Sequence, residues 1–114
     1  MKNEINLTLE LDENKIPENI IWSATEGGMT QSEAKAFILA IWDKKTDNTL
    51  KMDLWTKEMS VEEMFKFYFQ TFMTMADSFQ KSTNEDGMAD AIRDFAEFFG
   101  EKLGVIEPSG KFDK

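Results

Sequence analysis

The chain has 114 residues, no Cys, no His, and a formal charge of -9 from 22 acidic and 13 basic side chains. It is long enough to bury one core without disulfide or metal staples, and the missing thiol and imidazole remove the usual nucleophile, the usual general base near neutrality and cysteine-ligated metals. The acidic balance argues against nucleic acid and against anionic membrane surfaces as partners.

The opening MKNEINLTLE carries acids where a secretory leader needs a basic region and an apolar run, and no segment reaches the roughly 18 apolar residues of a membrane helix. A cytoplasmic protein with no membrane span is expected. Residues Ile5 to Leu11 alternate, with Ile5, Leu7, Leu9 and Leu11 on one face and Asn6, Thr8 and Glu10 on the other, the period of a strand with one wet side. Asp12-Glu13-Asn14-Lys15 with Pro17 behind it reads as a turn, and a second strand follows at about Asn19 to Thr25.

Glu26-Gly27-Gly28 breaks that strand; it lacks the Lys-Ser/Thr of a phosphate loop and reads as a plain loop. Residues 32–38 are compatible with strand or helix. Strand is favoured, because Phe37 to Trp42 is a short apolar run that ends in the polar turn Lys44 to Asn48 and meets a further run, Leu50 to Trp55, at hairpin spacing. That third strand is apolar on both sides, with Phe37, Leu39 and Ile41 on one and Ile38, Ala40 and Trp42 on the other. If helices cover one side, Ile38, Trp42 and Trp55, with Trp22, form an exposed patch of the kind that marks association.

Ser60 followed three residues on by Glu63 is a capping box, the cap alone contributing about 1 kcal/mol, and opens a helix that runs to about Lys81. Helical stepping gives it a core stripe of Val61, Met64, Phe65, Tyr68, Phe72, Met75, Ala76 and Phe79, and leaves Phe67 and Met73 outside the stripe as candidate contact residues. Thr83 or Asn84 is placed as the cap of a second helix ending near Leu103-Gly104. Its inward set is Met88, Ala91, Ile92, Phe95, Phe98 and Phe99; its outward stripe, Asp90, Asp94, Glu97 and Glu101, is either a solvated face or a contact for a basic partner segment. These acids do not cluster on a loop as calcium ligands must, so no metal and no cofactor are expected.

The expected fold is therefore α+β: a four-stranded antiparallel sheet followed by two C-terminal helices packed on one face. Residues 1–104 would form the single domain and 105–114 a mobile tail.

The pieces AFILAIWD, LKMDLWTKEMSVEEMFKF and DGMADAIRDFAEFF resemble the gliding motility-associated protein GldC family, over about Ile5 to Leu103, most specifically at Trp42-Asp43 and Asp53 to Lys57. The resemblance implies a small acidic accessory component of the motility apparatus, without enzymatic activity, membrane span or catalytic residues to transfer. The expected function is thus a non-enzymatic accessory or adaptor protein of gliding motility, working through protein contacts with that apparatus and as a homodimer or higher homo-oligomer. The alternative is an acidic chaperone module for motility or secretion clients, by likeness of architecture to SecB-type export chaperones, a fold analogy that does not establish function.

Overall fold

The computed structural model describes residues 1–112. It is an α+β structure of five strands followed by two helices, in the order β1 (Ile5–Leu11), β2 (Pro17–Ala24), β3 (Met29–Ala34), β4 (Ala36–Asp43), β5 (Asn48–Trp55), α1 (Val61–Thr83) and α2 (Asp86–Lys102). The strands make two sheets, β1-β2-β3 and β4-β5, and this corrects the expectation of one four-stranded sheet. The chain divides into two compact units, Met1–Met59 and Ser60–Lys114.

In the strand unit, β1 and β2 pair antiparallel with Leu7 opposite Trp22 and Leu9 opposite Ile20. Directly opposed residues point the same way, so the alternation of β1 puts Leu7 and Leu9 on the face that carries Trp22 and Ile20. Ile20 is fully buried and Ala34 of β3 is its partner on the other side. The turn between β1 and β2 is built by Asp12, whose carboxylate accepts from the backbone N–H of Asn14 at 2.8 Å and of Ile16 at 2.9 Å, with Lys15 at φ 62°.

The strand missing from the sequence reading is β3, and its composition explains the omission. Thr30, Gln31, Ser32 and Glu33 are all polar, with Ser32 and Glu33 opposite Trp22 and Ile21 of β2, and they give no apolar alternation, the only signal by which periodicity detects a strand. The diglycine that reads as a plain loop is the reversal into β3, with Gly27 and Gly28 both at positive φ, 88° and 66°, which other residues rarely adopt. Residues 32–38, ambiguous in sequence, are strand on either side of a bend at Lys35. The bend is held by Thr56, the buried polar residue of this unit, whose backbone N–H and hydroxyl both donate to the Lys35 carbonyl, at 2.8 and 3.0 Å.

The helical unit begins at the capping box. The Ser60 hydroxyl accepts from the Glu63 N–H and the Glu63 carboxylate accepts from the Ser60 N–H, both at 3.0 Å. At the far end Asn84 closes α1 in the left-handed conformation, φ 60°, its N–H donating to the Gln80 carbonyl. Asn84 is thus the C-cap of α1 and not the N-cap of α2, which is Glu85 and makes no side-chain capping bond. The two helices meet along small residues: Ala76 of α1, and Ala89, Ala96 and Gly100 of α2, are buried. Residues 105–112 fold back on α2. Val105 and Ile106 donate to the Gly100 carbonyl, and the Phe112 ring stands edge-on to Phe98, 5.5 Å between centroids. The tail expected at 105–114 extends beyond the described residues at Asp113 and Lys114.

Candidate functional site

The candidate contact residues fall on three surfaces. The first is the β4-β5 hairpin, paired from Ala36 opposite Trp55 at its base to Trp42 opposite Thr49 near its turn. One face carries three successive apolar pairs, Phe37 with Leu54, Leu39 with Met52 and Ile41 with Leu50. Exposure rises toward the turn, where Ile41 is 50% and Leu50 57% exposed. The other face carries Ile38, Trp42 and Trp55, the predicted patch. Trp42 and Trp55 are both exposed, but they stand at opposite ends of that face, on the order of 20 Å apart at about 3.3 Å per residue. Between them lie Lys51 and Asp53, joined by a 2.8 Å ion pair. The structure therefore puts the two tryptophans on one side of the hairpin without forming a single apolar surface, and it exposes the opposite side as well.

The reversal between β4 and β5 is fixed by Asp43, whose carboxylate accepts from the Thr46 hydroxyl at 2.7 Å and the Thr46 N–H at 2.9 Å. These bonds, the hydroxyl's first, hold the Asp43 carboxyl below the usual carboxylate range. At the base of the hairpin Lys57 pairs with Asp12 and more distantly with Glu18. The Lys57 ammonium holds the Asp12 carboxyl below its ordinary value, and the same contact raises Lys57 above its own. Thr56 and Lys57 escape sequence reasoning as site residues because each looks ordinary alone; their importance comes from partners 21 and 45 positions away in the chain.

The second surface is the acidic stripe of α2, and its members are engaged within the chain. Asp90 takes a bond from Arg93 at 3.0 Å, while Arg93 also reaches Asp77 across to α1 at 2.8 Å. Lys111 pairs with Asp94 at 2.9 Å and Glu97 at 3.7 Å. Glu101, whose charge opposes the helix dipole at this end, accepts from the Ser109 N–H at 3.0 Å and hydroxyl at 2.9 Å. The contacts raise Arg93, chiefly through Asp77, and Lys111, chiefly through Asp94, above their ordinary values.

The third surface is an open apolar groove of about 530 Å³ between the helices, lined by Phe72, Met75, Phe79, Met88, Ala91, Ile92 and Phe95. Phe72 stands edge-on to both Phe95 and Phe99, at 5.4 and 5.2 Å between centroids. The sequence places most of these residues in the core, whereas Met75, Met88 and Phe95 are each at least half exposed. Phe67 and Met73 are half-buried. Phe67 meets Tyr68 edge-on at 6.2 Å, and its carbonyl accepts from the Thr71 hydroxyl at 2.7 Å.

Among the described residues no group of three or more acidic side chains is placed to hold a metal ion, and no helix is long and apolar enough to cross a membrane. The family model for gliding motility-associated protein GldC-like matches residues 17–105 of the chain. The chain belongs to the GldC-like family. The match runs from the first residue of β2 through β5 and both helices and leaves out β1, which the resemblance over about Ile5 to Leu103 includes; the hairpin, the stripe and the groove all lie inside it. Among curated proteins and among solved structures, comparison finds no match. Membership ties the chain to gliding motility, a process and not a reaction.

Proposed function

We propose that this protein is a non-enzymatic accessory or adaptor component of the gliding apparatus, acting in the cytoplasm as a homo-oligomer and through protein contacts. The observation that carries the reading is the β4-β5 hairpin, whose two faces both expose large apolar side chains, including Trp42 and Trp55. An isolated two-stranded hairpin is marginally stable in water, and contiguous exposed apolar surface on a soluble chain marks association. Tryptophan is also the side chain most enriched among residues that dominate binding energy. The contiguous surface is the face of Leu39, Ile41, Leu50 and Met52; on the other face Ile38, Trp42 and Trp55 are assigned to the partner contact as separate anchors either side of the Lys51–Asp53 pair. The acidic stripe is assigned a smaller part, because Arg93, Lys111 and Ser109 already answer its charges.

The test is replacement of Trp42 and Trp55 by Ala, singly and together, in a gliding bacterium that carries no other copy. Crosslinking and capture from gliding cells should lose one defined component of the apparatus, colony spreading should slow, and the purified variants should keep their circular dichroism. Unchanged capture and unchanged spreading in the double variant would remove the hairpin from the contact and this reading with it.

A further inference from the structure

The helical unit buries only small side chains. Ala76, Ala89, Ala96 and Gly100 are its buried residues among those described, while Met75, Met88, Phe95 and Phe98 are between 41% and 64% exposed. The seam at 89, 96 and 100 lies roughly a quarter turn around α2 from the aromatic face at 88, 92, 95 and 99, at about 100° per residue. Two helices in contact through alanine and glycine come close together but leave their large side chains on one flank, and such a pair is half of a helical bundle. We propose that this flank is covered by the same flank of a second copy, making a four-helix bundle in which α1 of each copy packs between its own α2 and that of the other. The proposal deepens the protein-contact reading above by naming one occupant and its surface.

Three observations select a second copy over an unrelated segment. The first is shape at the edges of the groove. By helical spacing the outer edge of α1 is Thr71, Ser78 and Ser82, and that of α2 is Gly87 and Ala91 in its first half, followed by Phe98 and by Lys102, whose ammonium stands over the Phe98 ring, at its C-terminal end. A two-fold axis along the bundle sets the α1 edge of each copy against the α2 edge of the other, small and uncharged against small and uncharged where Ser78 and Ser82 meet Gly87 and Ala91. The second is charge. Asp90, Glu97 and Glu101 lie around α2 from the groove, and Asp94, nearest to it, is paired with Lys111. A basic partner helix thus finds no complementary row beside the groove, and two acidic copies meet there without acid facing acid. The third is area. Four or five side chains near half exposure, at 150–250 Å² each when fully uncovered, together with the half-buried members of the groove, amount to on the order of 600 Å² per copy. That approaches the roughly 800 Å² per partner of a standard interface. Neighbouring helices all run antiparallel in this arrangement, which sets opposite dipole ends side by side.

The test uses the full chain, whose mass is 13.2 kDa. Light scattering at micromolar concentration should give an even multiple of that mass, and Met88→Gln with Phe95→Gln should weaken the assembly at least 100-fold without loss of helical dichroism. A monomeric wild type overturns the proposal. Should the variant lose structure, cysteine pairing decides, since the chain has no Cys of its own. A copy with Ser78→Cys mixed with a copy with Ala91→Cys should form a disulfide-linked dimer on oxidation, and neither should do so alone to a comparable extent; failure of the mixture to link overturns the two-fold arrangement. The outcome is separable from that of the hairpin contact, because Trp42→Ala with Trp55→Ala should lose its captured component while keeping the assembled mass.

Discussion

The ring of Phe69 lies against the bare Cα of Gly100, so closely that a Cβ built on Gly100 would stand 2.7 Å from the Phe69 Cδ1 and 3.1 Å from the Ile106 Cγ1. The contact joins α1, α2 and the returning segment at one point, and only glycine leaves room for it.

Gly100→Ala should therefore destabilise the protein by about 1–3 kcal/mol, the usual cost of forcing an extra methyl into a packed seam. Gly87→Ala is the control: a Cβ there meets nothing within 4 Å, and alanine in a helix should stabilise by about 0.5 kcal/mol. Urea unfolding of the two variants checks the pair. Equal midpoints would show that the seam is not tightly packed.

At the other end of the helical unit, Ser60→Ala removes the acceptor for the Glu63 N–H and should cost about 1 kcal/mol. Ser60→Asp should recover most of it, since its carboxylate accepts the same bond beside the positive end of the dipole. Amide exchange at residues 61–64 reads the effect directly, as faster exchange in the alanine variant confined to the first turn.

Acid should weaken the strand unit through Asp12. Its carboxyl is lowered by the Lys57 ammonium and by the N–H groups of Ile16 and Asn14, so the stability it contributes is present above its unfolded value, near 3.8, and is lost as pH falls through the lowered folded value. Lys57 works in the opposite sense: raised by the same contact, it contributes below its unfolded value and the contribution disappears as pH rises through the raised one. Asp12→Asn should lower stability at neutral pH and flatten the acid limb, so that wild type and variant converge well below pH 4. Denaturant curves across that range test this, and parallel limbs would remove Asp12 as the titrating group.

Asp47 sits in the β4-β5 reversal at φ 54° and donates its N–H to the Asp43 carbonyl at 3.0 Å. Glycine adopts that conformation without the crowding of a Cβ, so Asp47→Gly should raise stability by about 0.5–1 kcal/mol, read as a shift in thermal midpoint. Thr46→Val, which loses the hydroxyl donor to Asp43, should act in the opposite direction.

What could be read from the sequence divides by the kind of signal each element carries. The alternation of Ile5 to Leu11 and the Ser60/Glu63 pair are local, and the strand and the capping box stand in the structure where local rules put them, although Ile5, Leu7 and Leu11 of the apolar face are exposed and not covered as one wet side would require. The apolar runs at 37–42 and 50–55 pair as a hairpin for the same reason. The polar strand β3 has no periodic apolar content, so pairing with β2 alone reveals it. The packing face of α2 was hidden differently. A helical wheel weighted by hydrophobicity points to Met88, Phe95 and Phe98, whereas close approach of two backbones is governed by Ala89, Ala96 and Gly100, which carry little such weight. Of the candidate site, Trp42 and Trp55 could be found as exposed residues, and period-2 alternation already puts Lys51 and Asp53 on the Trp55 face of β5; that the two side chains join in an ion pair between the tryptophans depends on side-chain reach.

The strand β4 has a consequence for how the protein must be handled by the cell. From Ala36 to Trp42 it holds seven residues with no charge and no proline, and among the described residues it pairs with β5 in a two-stranded sheet. Edge strands of soluble proteins usually carry a lysine, a proline or a bulge that discourages a stray strand from adding to them, and a segment of this composition is the kind that stacks into fibrils when left uncovered. High-level production with β4 uncovered should therefore yield aggregates nucleated at β4, and a single charge placed at Ala40 should raise the soluble yield.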